Sequence, residues 1–145
     1  LLSKDGRLPA AQLGEQVGLS RPAVAERIEK LERNGVIRGT TAVIDPNAVG
    51  RFVTAFVAAR VNGNLPSSAS KAFQQMMRSE EVLEVHTVAG EDCFYIKVRT
   101  DSLTSLNVVV NKLTHAPFNL VTRTTIVMKT HCEKLGGIIL GEAAE

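Results

Sequence analysis

Cysteine is scarce in this chain of 145 residues. The two present, Cys93 and Cys132, form no CxxC pair and match no zinc spacing. That argues against a disulfide framework or a zinc finger, and predicts reduced, buried or half-buried thiols in a cytoplasmic protein. The three histidines are scattered at 86, 115 and 131 with no HxxxH or HExxH spacing, so no metal site is expected. His86 alternates with core positions and reads either as an interface histidine or as a cleft residue. No G-x-S-x-G, phosphate-binding loop or dinucleotide fingerprint occurs, so neither catalytic residues nor a cofactor are expected. No apolar run approaches the roughly 18–20 residues that cross a bilayer, which predicts no membrane partner. Leu1-Leu2-Ser3-Lys4-Asp5 has neither the basic leader nor the apolar core of a secretory signal.

Charge of one sign is also in short supply. The net charge is +2, and its placement says more than its size. Residues 1–44 hold seven Lys/Arg against five Asp/Glu, and residues 45–145 hold ten of each, so the whole excess lies at the N-terminal end. One copy at +2 implies modest non-specific affinity for DNA, which duplication in a dimer would raise.

What is present begins with Leu13 to Ile37, LGEQVGLSRPAVAERIEKLERNGVI. Ala10 to Val17 reads as a helix that buries Leu13 and Val17 one turn apart. Gly14, between them, sits where a second helix must cross closely. Gly18 supplies the positive φ that ends the helix, Leu19 plugs the corner, and Ser20 caps the next helix with Pro22 in its first turn. Val24, Ile28 and Leu31 then share one face. Pro22, Glu26, Glu29, Lys30 and Arg33 lie opposite, flanked by Arg21 and Arg27. Asn34-Gly35 stops this helix. Two helices locked at a corner, with a charged outer face, make the shape that enters a DNA major groove. Lys4 to Arg7 reads as a turn after the end of a mostly absent first helix, and Val36 to Ile44 as a β-like hairpin or wing.

Asp45-Pro46-Asn47 breaks the pattern and marks a linker. Beyond it the expected elements are a strand over 52–61, a helix over 70–78 with Ala72, Phe73, Met76 and Met77 inward, strands over 82–88 and 94–98, a helix capped by Asp101 or Ser102 and running to Leu113, and a strand over 121–128. This order is β-α-β-β-α-β, a split ferredoxin-like unit. Its two helices cover one sheet face and leave the other in need of a partner. Ile138, Ile139 and Leu140 read as a final apolar strand that pairs within or across a dimer.

Two constellations carry chemistry. Arg21 and Arg27 can donate to guanine, and Lys30 can neutralise a phosphate. The plain alternative is a solvated face with Glu26–Lys30 and Glu29–Arg33 pairs. In the loop Gly90-Glu91-Asp92, backbone N–H groups can hold a carboxylate while Glu91 or Asp92 takes an ammonium, the two ends of a free amino acid. The alternative there is an acidic hairpin turn.

The segments DGR at 5–7, VGLS at 17–20, ERIEKLERNGVI at 26–37, DP at 45–46, AGED at 89–92 and RTTIVM at 123–128 together resemble the Lrp/AsnC (feast/famine) transcriptional regulators along essentially the whole chain. The resemblance implies an α+β protein, with an N-terminal winged helix-turn-helix over 1–44, a hinge over 45–51 and a ferredoxin-like effector-binding and oligomerisation domain over 52–145. It implies that Ser20, Arg21, Ala23, Glu26, Arg27 and Lys30 face double-stranded DNA. It places a small-molecule effector, an amino acid, against Val88, Ala89, Gly90, Glu91 and Asp92, with Thr124 and Thr125 as neighbours. Some family members carry an acidic residue where this chain has Cys93, and others a small one. Self-association as a dimer, and from dimers to an octamer, is implied as well. The expected function is sequence-specific control of transcription by an effector. Two rivals remain. A constitutive architectural DNA-binding protein predicts no ligand response, and an enzyme or metabolite sensor on the ferredoxin-like half predicts no DNA affinity.

Overall fold

The computed structural model describes residues 1–61, 63 and 68–133, so the apolar run at Ile138–Leu140 lies outside the described residues. The chain divides into two compact units, one built on Leu1–Val43 and one on Ile44–His131.

The first unit holds two helices. The first, α1, spans Ala10–Val17 and ends at Gly18, whose φ of 67° lets its amide donate back to the Gly14 carbonyl. The second, α2, spans Arg21–Arg33. Ser20 caps it, accepting from the Ala23 amide at 3.4 Å, and Pro22 lies in the first turn, where no N–H is missed. The Asn34 and Gly35 amides return to the carbonyls of Lys30 and Glu32, and Gly35 has a φ of 70°. Leu13 and Val24 are buried where the helices meet, with Ile28 and Leu31 half-buried behind them.

Four expectations for this unit need correction. Val17 is 50% exposed, because the crossing lies one turn earlier at Leu13 and Gly14. Leu19 is 36% exposed and fills the corner only in part. Gly14 is needed less for the second helix than for the corner itself: a methyl group there would run into the Leu19 carbonyl oxygen, and only then approach Val24 at 3.7 Å. Finally, residues 36–44 form no strand among the described residues. The Val36 and Ile37 amides donate to the Leu31 carbonyl at 2.9 and 3.1 Å. Val36, Val43 and Ile44 are more than half exposed, so their apolar pattern has no surface to lie on.

The second unit is a four-stranded antiparallel sheet with two helices. Its elements are β1 (Val53–Val61), α3 (Ser68–Met77), β2 (Val82–Thr87), β3 (Phe94–Thr100), α4 (Leu103–Thr114) and β4 (Leu120–Ile126), in the spatial order β2-β3-β1-β4. Side chains alternate between faces with period two. Ala55, Val57 and Ala59 of β1 and Ile96 and Val98 of β3 are all wholly buried on one face, against Met76 of α3 and Leu106, Val109 and Leu113 of α4. Phe73 stacks between Phe94 and Phe118, with ring centroids 5.0 and 6.1 Å away. Ser102 caps α4, accepting from the Ser105 amide at 3.1 Å. Met77, expected inward, is 45% exposed, since Met76 takes the core position at the end of α3.

Among the described residues no helix lies on the opposite sheet face. Phe56 and Tyr95 are 42% and 40% exposed there. Beside them Lys97 and His86 both reach the Glu84 carboxylate at 3.1 Å. Near its start, residues 45–51 close two tight turns, and Arg51 pairs with Glu80 at 3.2 Å.

Candidate DNA-reading helix and ligand loop

The corner from Gly18 to Ser20 decides which residues α2 presents. Once Val24 is fixed inward, the 100° step of the helix turns Glu26 and Lys30 outward and leaves Arg21 and Arg27 flanking the buried stripe. All four are exposed, as is Ser20, while Ala23 is half-buried beside the crossing. Among the described residues neither Glu26–Lys30 nor Glu29–Arg33 closes into an ion pair, so the solvated-pair reading of this face finds no support in the geometry. Among the described residues the side chains of Arg21, Arg27 and Lys30 have no hydrogen-bond or ion-pair partner. Lys30 and Arg33 also sit in the last turn, where they complement the helix dipole.

The second site residues gather less completely. The loop from Val88 to Cys93 joins β2 to β3. The Val88 amide donates to the Cys93 carbonyl at 3.0 Å, and the Cys93 amide to the Ala59 carbonyl at 2.9 Å. Gly90 has a φ of 154°, which an L side chain rarely adopts. Ala89, Gly90 and Glu91 are exposed, and Val88 and Asp92 half-buried. Thr124 and Thr125 cannot both turn toward this loop within one chain. Thr124 pairs with Val57 on the helix-covered face, and Thr125 with Phe56 on the open one, so the pleat sends the two side chains opposite ways.

The residue that does reach the loop from β4 is Arg123, whose guanidinium donates to Asp92 Oδ2 at 2.9 Å. The Tyr95 hydroxyl donates to the same oxygen at 3.4 Å. Sequence reasoning missed both, because nothing local signals a pairing across 31 positions and an intervening strand. His86 is exposed on the open face beside Tyr95 and is tied to Glu84 rather than to Asp92. Its hydrogen bond, followed by that of Lys97, holds the Glu84 carboxyl below the usual carboxylate range. Cys93 is half-buried in the loop, whereas Cys132 is exposed rather than buried. Among the described residues no helix is long and apolar enough to cross a membrane, and no three His, Cys, Asp or Glu converge as metal ligands would.

Comparison with known proteins covers both units. Residues 1–38 match a winged helix-turn-helix DNA-binding domain, and residues 54–135 match the Lrp/AsnC ligand binding domain. The HTH-type transcriptional regulator LrpA of Mycobacterium tuberculosis is 36% identical over 129 residues, covering 89% of this chain and 84% of LrpA. The leucine-responsive regulatory protein of Klebsiella pneumoniae is 31% identical over 129 residues, covering 88% of this chain and 79% of its own. A solved structure of a feast or famine regulatory protein from M. tuberculosis, complexed with L-methionine, superposes with a TM-score of 0.79 at 35% identity, covering 91% of this chain and 88% of that one. The helix-turn-helix and the unit that follows it are thus matched in the same order, over 79–88% of the length of these regulators. The chain belongs to the Lrp/AsnC family, as a helix-turn-helix DNA-binding transcriptional regulator with a ligand-binding domain and not an enzyme.

Proposed function

We propose that the ligand is a free amino acid and that its binding changes how the protein holds its operator. Residues 1–44 serve the DNA, 45–51 form the hinge, and 52–145 serve the effector and self-association. The observation that carries the DNA half is the exposed surface of α2, where Arg21, Arg27 and Lys30, beside Ser20, Ala23 and Glu26, have no side-chain partner among the described residues. Arginine reads guanine bidentately, and lysine neutralises phosphate. The loop Val88–Asp92, with exposed amides next to Glu91, offers complements to both ends of an amino acid. Within one chain Thr124 and Thr125 face apart, so the two together would join it only with a second subunit. The L-methionine complex of the M. tuberculosis relative supports this ligand class.

The open sheet face, with Phe56 and Tyr95, supplies the surface for a symmetric dimer. Dimers then assemble further, to an octamer. A dyad would set two reading helices in successive major grooves, about 34 Å apart. We place the protein in the cytoplasm, with its operator.

The test is a gel-shift titration on the DNA upstream of the protein's own gene, with and without each amino acid, paired with sedimentation of the same samples. The expected result is a sharp shift whose midpoint or complex size moves with one or a few amino acids. Sequence-tolerant binding that ignores every amino acid would instead identify a constitutive architectural protein.

A further inference from the structure

The loop between β2 and β3 is fastened at its later end by three strands. Cys93 holds the hairpin closed through Val88 and is itself tied to Ala59 of β1. Asp92 is held from β4 by Arg123 and from β3 by Tyr95. The sheet register explains how an edge strand reaches so far. His86, Tyr95, Ala58 and Arg123 form one row across β2, β3, β1 and β4 on the open face. Arg123 must pass over β1 to reach Asp92, and it passes at Ala58, where a methyl group leaves room. Ala58 is only 4% exposed on a face where its neighbour Phe56 is 42% exposed, which fits a long side chain lying over it beside Tyr95.

This arrangement separates the two loop carboxylates. The Asp92 side chain is 17% exposed and already holds a cation. Glu91 is exposed and, among the described residues, has no hydrogen bond or ion pair. An incoming ammonium therefore meets a neutralised carboxylate at 92 and a free one at 91. We propose that Arg123, acting through Asp92 across Ala58, is a positioning residue that sets the shape of the ligand loop, and that Glu91 is the carboxylate that receives the ligand's ammonium. The proposal rests on the amino-acid reading above and deepens it. Arg123 is itself 68% exposed, so the clasp contributes modestly and acts by geometry more than by strength.

Calorimetric titration tests this. The twenty free L-amino acids are titrated into the full chain, and the tightest is carried to Glu91→Gln, Asp92→Asn, Arg123→Gln, Arg123→Lys and the Asp92→Asn/Arg123→Gln double variant. Glu91→Gln is expected to weaken binding about ten-fold with no change in thermal midpoint, since the side chain has no partner among the described residues. Asp92→Asn and Arg123→Gln should each weaken it about two- to five-fold. The double variant should lose no more than either alone, and Arg123→Lys should recover part of the loss. No heat from any amino acid with the parent chain overturns both readings. Heat with the parent that survives Glu91→Gln undiminished, or additive losses in the double variant, overturns this proposal and leaves the amino-acid reading standing.

Discussion

One methyl group at position 14 would meet a backbone carbonyl, which cannot rotate aside as a side chain can. Gly14→Ala therefore forces the Gly18–Ser20 corner open, at about 1–3 kcal/mol. Thermal unfolding should report the loss, and operator affinity should fall with it, because α2 is aimed by that corner. Glu84 gives a second prediction. Its carboxyl is held low by His86 and then Lys97, so the folded state binds a proton there less readily than the unfolded chain does. The stabilisation is present above the ordinary carboxylate range and is lost as the pH falls through the lower folded value. Glu84→Gln should flatten that acid limb, below about pH 4, while changing stability at neutral pH by less than about 1 kcal/mol, since solvent screens a half-exposed carboxylate. Urea melts of both proteins at pH 7 and pH 3.5 would show it.

Among the elements, α2 separates reading from holding. Arg21→Ala should weaken operator binding by about 1–3 kcal/mol and relax specificity at one base position. Lys30→Ala should weaken binding to all sequences alike and lower the salt slope by about one. Circular dichroism should show the fold intact in both, since among the described residues neither side chain has a protein partner. Equal affinity to the parent at matched salt would remove this helix as the reader. The start, stop and facing of α2 were legible because Ser20, Pro22, Asn34 and Gly35 signal locally and Val24 marks the inner stripe. The βαββαβ order was legible for the same reason, through period-two alternation and the Ser102 cap. The wing was not, because apolar alternation over 36–44 predicts a strand only where a surface exists to receive it. The Arg123–Asp92 clasp was hidden for a deeper reason. It depends on β1 lying between β3 and β4, and on Ala58 falling in the crossing row. Register of that kind belongs to the sheet and not to any one segment. Thr124 and Thr125 illustrate the point: adjacent in sequence, they were grouped as neighbours of the loop, yet a strand turns adjacent residues to opposite faces.

At the scale of the whole molecule, the two units differ in what holds them. Among the described residues the first unit buries two hydrophobic side chains, Leu13 and Val24, whereas the second buries twelve. Stability is unevenly distributed in such a chain, and the thinly packed part opens first. Scanning calorimetry should resolve two transitions, the lower one abolished by cutting the chain down to residues 52–145 and raised by operator DNA through mass action. A single cooperative transition, unmoved by DNA, would refute this. Between those two temperatures the protein would still take up its ligand but no longer grip a promoter, so heat alone would release the genes it governs.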